Sequence, residues 1–165
     1  MTRELSLRNC QARRRVDTRF LARNVRECLR ILEVEFELGI RVVSNAEIAR
    51  INERYLQHHG PTDVITFHYD STQASIPDDV PGAKKMISGD IFVSVDEAVS
   101  QARRFRTSGR EELLRYAVHG ILHLLGFDDH SARDRRRMKK VEDQLVSRLT
   151  GRSRRPTSKR SGRHG

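Results

Sequence analysis

Three histidines fall within the twelve-residue stretch HGILHLLGFDDH, His119 to His130, and two of them interrupt an apolar run. An imidazole placed among apolar neighbours loses hydration, so its nitrogens need partners. On a helix, His119 and His123 stand about 40° apart in projection and about 6 Å apart along the axis, side by side. Two neutral imidazoles satisfy each other poorly, whereas a shared divalent metal takes a lone pair from each. Gly126 then turns the chain so that the following loop can bring a third donor, for which His130 is the natural candidate. Three histidines would leave the fourth tetrahedral position to water, the arrangement of a catalytic rather than a structural zinc. His119 and His123 are therefore candidate catalytic residues as well as candidate ligands. Zinc in such a site would bring the pKa of water towards about 7, or polarise a phosphoryl or carbonyl oxygen. Nickel, copper and iron accept similar donors.

The spacing invites comparison with zinc proteases of the HExxHxxGxxH type. Their second position supplies a glutamate as general base, and here it is Gly120. A peptidase is thus the weaker reading.

The elements that must position these side chains can be read from periodicity. Leu113, Leu114, Ala117, Val118, Ile121, Leu122, Leu124 and Leu125 cover most of the circumference of a helix running from about 110 to 125. A helix apolar nearly all round is a buried one. Gly126 suits its C-terminal end, and Glu111 and Glu112 suit its first turn. Upstream, ELSLRN alternates like a strand, and Asp17 caps a helix with Phe20, Leu21, Val25, Leu29 and Leu32 at helical spacing. FELGIRVVS reads as a second strand, and Ser44 with Glu47 forms a capping box for a second helix. TDVITFHY (62–69) and ISGDIFVSV (87–95) read as strands three and four, and the proline-containing segment between them as a loop or hairpin connection. A helix from Asp96 to about Phe105 and a last one from Ser131 to near Thr150 complete the set. The expected fold is a single α/β (α+β) domain, a roughly four-stranded mixed sheet packed with about five helices.

The chain of 165 residues is long enough for one substantial core. No apolar run reaches the roughly 18 residues of a membrane span, and the amino terminus lacks the apolar stretch of a secretory signal. A soluble, cytoplasmic protein is the expectation. Cys10 and Cys28 fit neither a redox nor a zinc-knuckle spacing and read as free thiols. The net charge of +10 is uneven: residues 151–165 carry six Arg/Lys and no acid, leaving +4 for residues 1–150. The division expected is a folded domain over 1–150 and a disordered basic tail over 151–165, with the tail able to bind phosphates by counterion release. Basic density recurs in QARRR (11–15), ARRFR (102–106) and RDRRRMKK (133–140).

HGILHLLGFDDH resembles the HGxLHLxGYDH signature of the YbeY family of rRNA maturation factors. PTDVITF (61–67) resembles that family's PTDVLSF strand, SGDIFVSVDEAVSQA (88–102) its LGDIxIxxxxAxxQA segment, and INERYL (51–56) the helix end before the first of these. The resemblance spans roughly residues 40–145, with the motifs in the family's order. It implies a zinc-dependent, single-strand-specific endoribonuclease acting in rRNA maturation, at the 3′ end of 16S rRNA, and in ribosome quality control. Its partners would be single-stranded RNA, rRNA and ribosomal subunits, with the basic tail on RNA. The family pattern has one aspartate before its third histidine, whereas this chain has Asp128 and Asp129. The third ligand is accordingly His130 if the loop absorbs a residue, or Asp129, which stands at the family's spacing. Leu56 occupies a position where some members carry an arginine; His58, His59 or an arginine from another element are candidate replacements, and Asp63 and Thr66 are candidate cleft residues. With six Phe and three Tyr, backbone contacts to RNA should dominate over base stacking. The alternative reading is a non-catalytic ribosome-assembly or RNA-binding protein with a structural metal, and behind it a zinc peptidase.

Overall fold

A computed structural model describes residues 2–56, 62–69 and 85–151. In chain order the elements are β1 (Arg3–Asn9), α1 (Thr18–Ile31), β2 (Glu35–Val43), α2 (Asn45–Leu56), β3 (Val64–His68), β4 (Met86–Ser94), α3 (Val95–Phe105), α4 (Gly109–Leu124) and α5 (Ala132–Thr150). The four strands form one mixed sheet in the order β1-β2-β4-β3. β1, β2 and β4 are parallel, and β3 runs antiparallel to β4 along the sheet edge. This is the α+β domain that the patterns predict.

Side-chain alternation gives the sheet two unlike faces. Phe36, Leu38, Ile40 and Val42 of β2 and Ile87, Ile91 and Val93 of β4 point into the main core, which α1, α4 and α5 close. Val43, Ile65, Phe67 and Phe92 point the other way, where Ile48 and Ile51 of α2 make a smaller cluster. α4 lies in the middle of the main layer, and Leu114, Ala117, Val118, Ile121 and Leu122 are at most marginally accessible, which is why its sequence is apolar nearly all round.

The caps of α1 and α2 are those the sequence announces. Phe20 N–H donates to Asp17 Oδ1 at 3.0 Å, and Glu47 N–H to Ser44 Oγ at 3.2 Å. Ser94, Ser108 and Ser131 open α3, α4 and α5 in the same way. Asp96 joins two helix starts: its Oδ2 accepts from Asn45 N–H at 2.7 Å and its Oδ1 from Arg14 Nε at 2.7 Å. The Asn45 contact, then the Arg14 contact, hold the Asp96 carboxyl below its ordinary range against a modest desolvation. Cys10 is exposed; Cys28 is buried and its thiol is pushed up to about 12 by desolvation, so it behaves as a core residue. Among the described residues no helix is long and apolar enough to cross a membrane. The expected loop or hairpin between β3 and β4 lies largely outside the described residues, as do His58, His59 and the tail beyond Gly151.

Candidate metal centre

α4 runs antiparallel to β4 at very short range, and Gly120 makes this possible. A Cβ there would lie 2.7 Å from Ile91 Cγ2 and 2.8 Å from its Cδ1. With Gly120 turned to the sheet, His119 and His123 project from the adjoining side of the helix, each about a quarter exposed. Their Nε2 atoms are 3.1 Å apart. Two nitrogens each about 2.0–2.1 Å from one tetrahedral ion would be separated by roughly 3.4 Å, so this pair is close to a ligating geometry.

α4 ends at Leu124, and Gly126, at φ 100°, adopts a backbone that other residues resist. Phe127 N–H bonds back to Leu122 O at 3.0 Å. The returning loop places Asp129 Oδ2 3.5 Å from His123 Nε2. His119, His123 and Asp129 each offer a ligand atom, all within 4.8 Å of one another. His130 is brought to a different grouping, with Asp128 and Asp129, and its side chain is 89% exposed. Its backbone N–H donates to Asp128 Oδ1 at 3.0 Å, an Asx-type turn that gives the extra aspartate a local structural task.

Behind the histidines lies a buried charge network that the sequence reading missed. His119 Nδ1 is 2.8 Å from Glu142 Oε1. A carboxylate only accepts, so Nδ1 carries the proton and the Nε2 lone pair faces His123 and the cleft. The other oxygen of Glu142 accepts from Arg115 at 2.8 Å, and Arg115 also bonds Asp143. Arg115 and Glu142 side chains are only 5% and 9% exposed. Burial alone would lower the pKa of His119 and raise that of Glu142, but the bond and charge between them prevail, so His119 is raised and Glu142 lowered. His123, with no such partner, is lowered by desolvation and by the neighbouring His119.

Both missed residues left a trace in the sequence. Arg115 stands one helical turn before His119 in an otherwise apolar stretch, making 115, 119 and 123 a single polar stripe. Glu142 occupies a place in the buried stripe of α5, with Met138, Leu145 and Val146.

His119 opens onto a cleft of about 350 Å³ bounded also by Asp63, Arg115, Asp129, Arg135 and Glu142, among others. Asp63 therefore reaches the cleft, and its charge acts on His119. Thr66 does not line it; it is half-buried on the core side of β3, two residues along from Val64. Arg135 donates to the backbone carbonyls of Asp129 and His130 at 3.3 and 3.4 Å, pinning the loop that carries both candidate third ligands. Leu56 is 40% exposed at the end of α2.

The donor set fits a divalent transition ion: two imidazole nitrogens with a carboxylate beside them, and one tautomer fixed from behind. Arg135 and Lys139 also line the cleft, beside the carboxylates of Asp63, Asp129 and Glu142.

The family described as Endoribonuclease YbeY matches residues 6–150. Proteins named Endoribonuclease YbeY from Syntrophus aciditrophicus and Prochlorococcus marinus are 33% identical over 154 residues and 34% identical over 114 residues. The first alignment covers 92% of each chain, and the second 69% of this chain and 61% of the relative. A third, from Chlorobium luteolum, is 40% identical over 100 residues, 61% of this chain and 64% of its own. This chain thus spans less than two thirds of the length of several relatives it matches. A solution structure from Thermotoga maritima superposes with a TM-score of 0.59 at 23% identity, covering 90% of both chains, and shows the same fold. With the motifs, the fold and the histidine helix in agreement, the chain belongs to the YbeY endoribonuclease family.

Proposed function

We propose that this chain is a metal-dependent endoribonuclease that cuts single-stranded RNA during rRNA maturation and ribosome quality control in the cytoplasm, with zinc as the resident ion. The observation that carries the reading is the juxtaposition of His119, His123 and Asp129 beside a cleft that Arg135 and Lys139 also line. His119 and His123 would hold the ion, with the third donor from the loop pinned by Arg135. Asp129 is favoured by its present distance; His130 ligates only if the Asp128 turn opens and swings its imidazole inward. A zinc ion held there supplies Lewis acidity toward a phosphoryl oxygen and toward water.

The remaining chemistry belongs to the protein. Glu142 keeps a proton on His119 Nδ1, so that the lone pair of the neutral imidazole lies on Nε2 and faces the site. Arg135 and Lys139, one turn apart on α5, are placed to hold a phosphodiester by its non-bridging oxygens, and they serve where Leu56 replaces the arginine of some family members. Asp63 is the carboxylate across the cleft, available to orient water or accept a proton. Ribosomal subunits are the expected setting for the substrate.

The test is cleavage of single-stranded and duplex RNA by the zinc-loaded chain beside His119→Ala and His123→Ala. Both variants should stay folded, bind RNA and lose cleavage. Cleavage undiminished in both would identify a contaminating nuclease and remove the enzymatic reading. RNA binding without cleavage by the wild type would favour the assembly protein, a reading that Leu56 supports, and peptide hydrolysis would revive the peptidase.

A further inference from the structure

A second groove, larger than the histidine cleft, lies elsewhere on the domain. It has a volume of about 1190 Å³ and is bordered by Arg3, Arg19, Arg23, Arg26, Arg30 and Lys85. Four of these lie on α1 at intervals of four, three and four residues, which puts them on one helix face. All four are exposed.

The charges on this face are only partly balanced. Arg14, Arg50, Arg110 and Arg115 each have a carboxylate at ion-pair distance. In the groove, Arg30 is matched by Glu27 at 2.6 Å, and Glu33 and Glu35 lie toward the same C-terminal end of α1. Arg19, Arg23 and Arg26 have no carboxylate within ion-pair distance among the described residues. Three unneutralised guanidiniums beside a concavity repel one another, and that repulsion is relieved by an anion carrying several charges at matching intervals. From Arg19 to Arg26 the helix rises about 10 Å, room for roughly three phosphates of a stacked strand at about 3.4 Å each.

The groove also leads toward the metal loop. Lys85 borders both it and a smaller depression formed by Leu125, Gly126, Phe127, Asp128 and Arg137. Asp129, the next residue, lines the histidine cleft. A strand laid along α1 would pass the start of β4 and arrive at the loop from behind.

We propose that the α1 groove is a second, sequence-independent RNA-backbone site, which holds a stretch of substrate away from the bond that is cut. The proposal rests on the RNA-cleaving reading above. It predicts a length effect: RNA long enough to reach both places should bind more tightly than RNA that fills the cleft alone.

The experiment uses the full chain and its Arg19→Gln/Arg23→Gln/Arg26→Gln variant, beside an Arg8→Gln/Arg13→Gln/Arg15→Gln variant that removes as many exposed charges elsewhere. Binding of uridine oligomers of about six and about forty nucleotides is measured against salt. Each single-strand phosphate contact contributes about 0.7 to the salt slope, so losing three should lower the slope by about 2 and weaken the long oligomer by up to about 100-fold near 0.1 M salt. The short oligomer should be affected severalfold at most, and the control variant should lie close to wild type. Equal losses in the two triple variants, or an unchanged affinity for the long oligomer, would overturn the proposal. So would loss of binding to phosphatidylserine vesicles with RNA affinity retained, which would make the groove a lipid contact. If the wild type cuts neither oligomer the nuclease reading fails, while the binding difference still decides whether the groove holds RNA.

Discussion

Removing Glu142 tests whether the histidine pair is set from behind. In Glu142→Ala, His119 loses the acceptor at 2.8 Å that fixes its tautomer, and Arg115 loses one of two carboxylates in a place where it is 4% exposed. Breaking a buried ion pair from one side costs about 3–5 kcal/mol. Asp143 remains for Arg115, and that carboxylate is 45% exposed, so we expect the lower end of this range, about 3 kcal/mol. The effect on the ion is separate. Partners behind a ligating histidine typically contribute 10–100-fold in metal affinity, about 1.4–2.7 kcal/mol. Glu142→Gln divides the two roles: its amide oxygen can still accept from Nδ1–H, but its charge is gone and its amide hydrogens face the guanidinium. It should keep zinc affinity within about threefold of wild type and yet lose stability. Zinc affinity is read by competition with a chromophoric chelator, and stability by urea unfolding of chelator-treated protein. A folded Glu142→Ala protein that binds zinc within twofold of wild type would refute the reasoning.

Four further outcomes are expected. Asp129→Ala and His130→Ala, compared by elemental analysis, should differ, with the larger zinc loss in Asp129→Ala; the reverse would show that the loop rearranges around the ion. Urea unfolding of zinc-free protein should show an acid limb from Glu142: its folded pKa lies below the unfolded one, so its contribution is complete above the ordinary glutamate value of about 4.3 and is lost as pH falls through the folded value. Glu142→Gln should flatten that limb. His119, raised, contributes below about pH 6.5 and ceases to as pH rises through its folded value, while His123, lowered, opposes folding as pH drops below about 6.5. Gly126→Ala has open space for the methyl but must hold a φ of 100°, so about 1–2 kcal/mol of stability should go, measured by the same unfolding. Deleting the chain after residue 150 should make the salt dependence of RNA binding shallower by up to about 4, with zinc content unchanged; an unchanged slope would assign the six tail charges no role.

The parts of the fold written in local patterns were legible. α4 was visible because a helix in the middle of a layer must be apolar on nearly every side, and the histidines stood out against that background. Asp17, Ser44 and Ser131 announced helix starts because a cap is a contact within a few residues. Strand order was not visible: β4 enters between β2 and β3, a pairing that no short stretch encodes. Glu142 was hidden for a similar reason. Among the nine other arginines, lysines and acids on α5 it looks like one more solvated charge, and only the crossing of α4 and α5 brings it to His119. The choice between Asp129 and His130 depends on how far the chain travels after Gly126, a backbone path that residue types alone do not specify.

Gly120 has a consequence for what this scaffold can become. The position after the first histidine is where a zinc peptidase would keep its glutamate, so in sequence the two motifs differ there by one residue. Here that position faces Ile91, which is fully buried, with less room than one methyl group requires. A carboxylate placed there would have to push the helix off the sheet and, with it, the histidines off their common ion. The same two histidines at the same spacing are thus committed to different chemistry by the side of the helix that touches the sheet, and a designer seeking peptidase activity would have to rebuild β4 first.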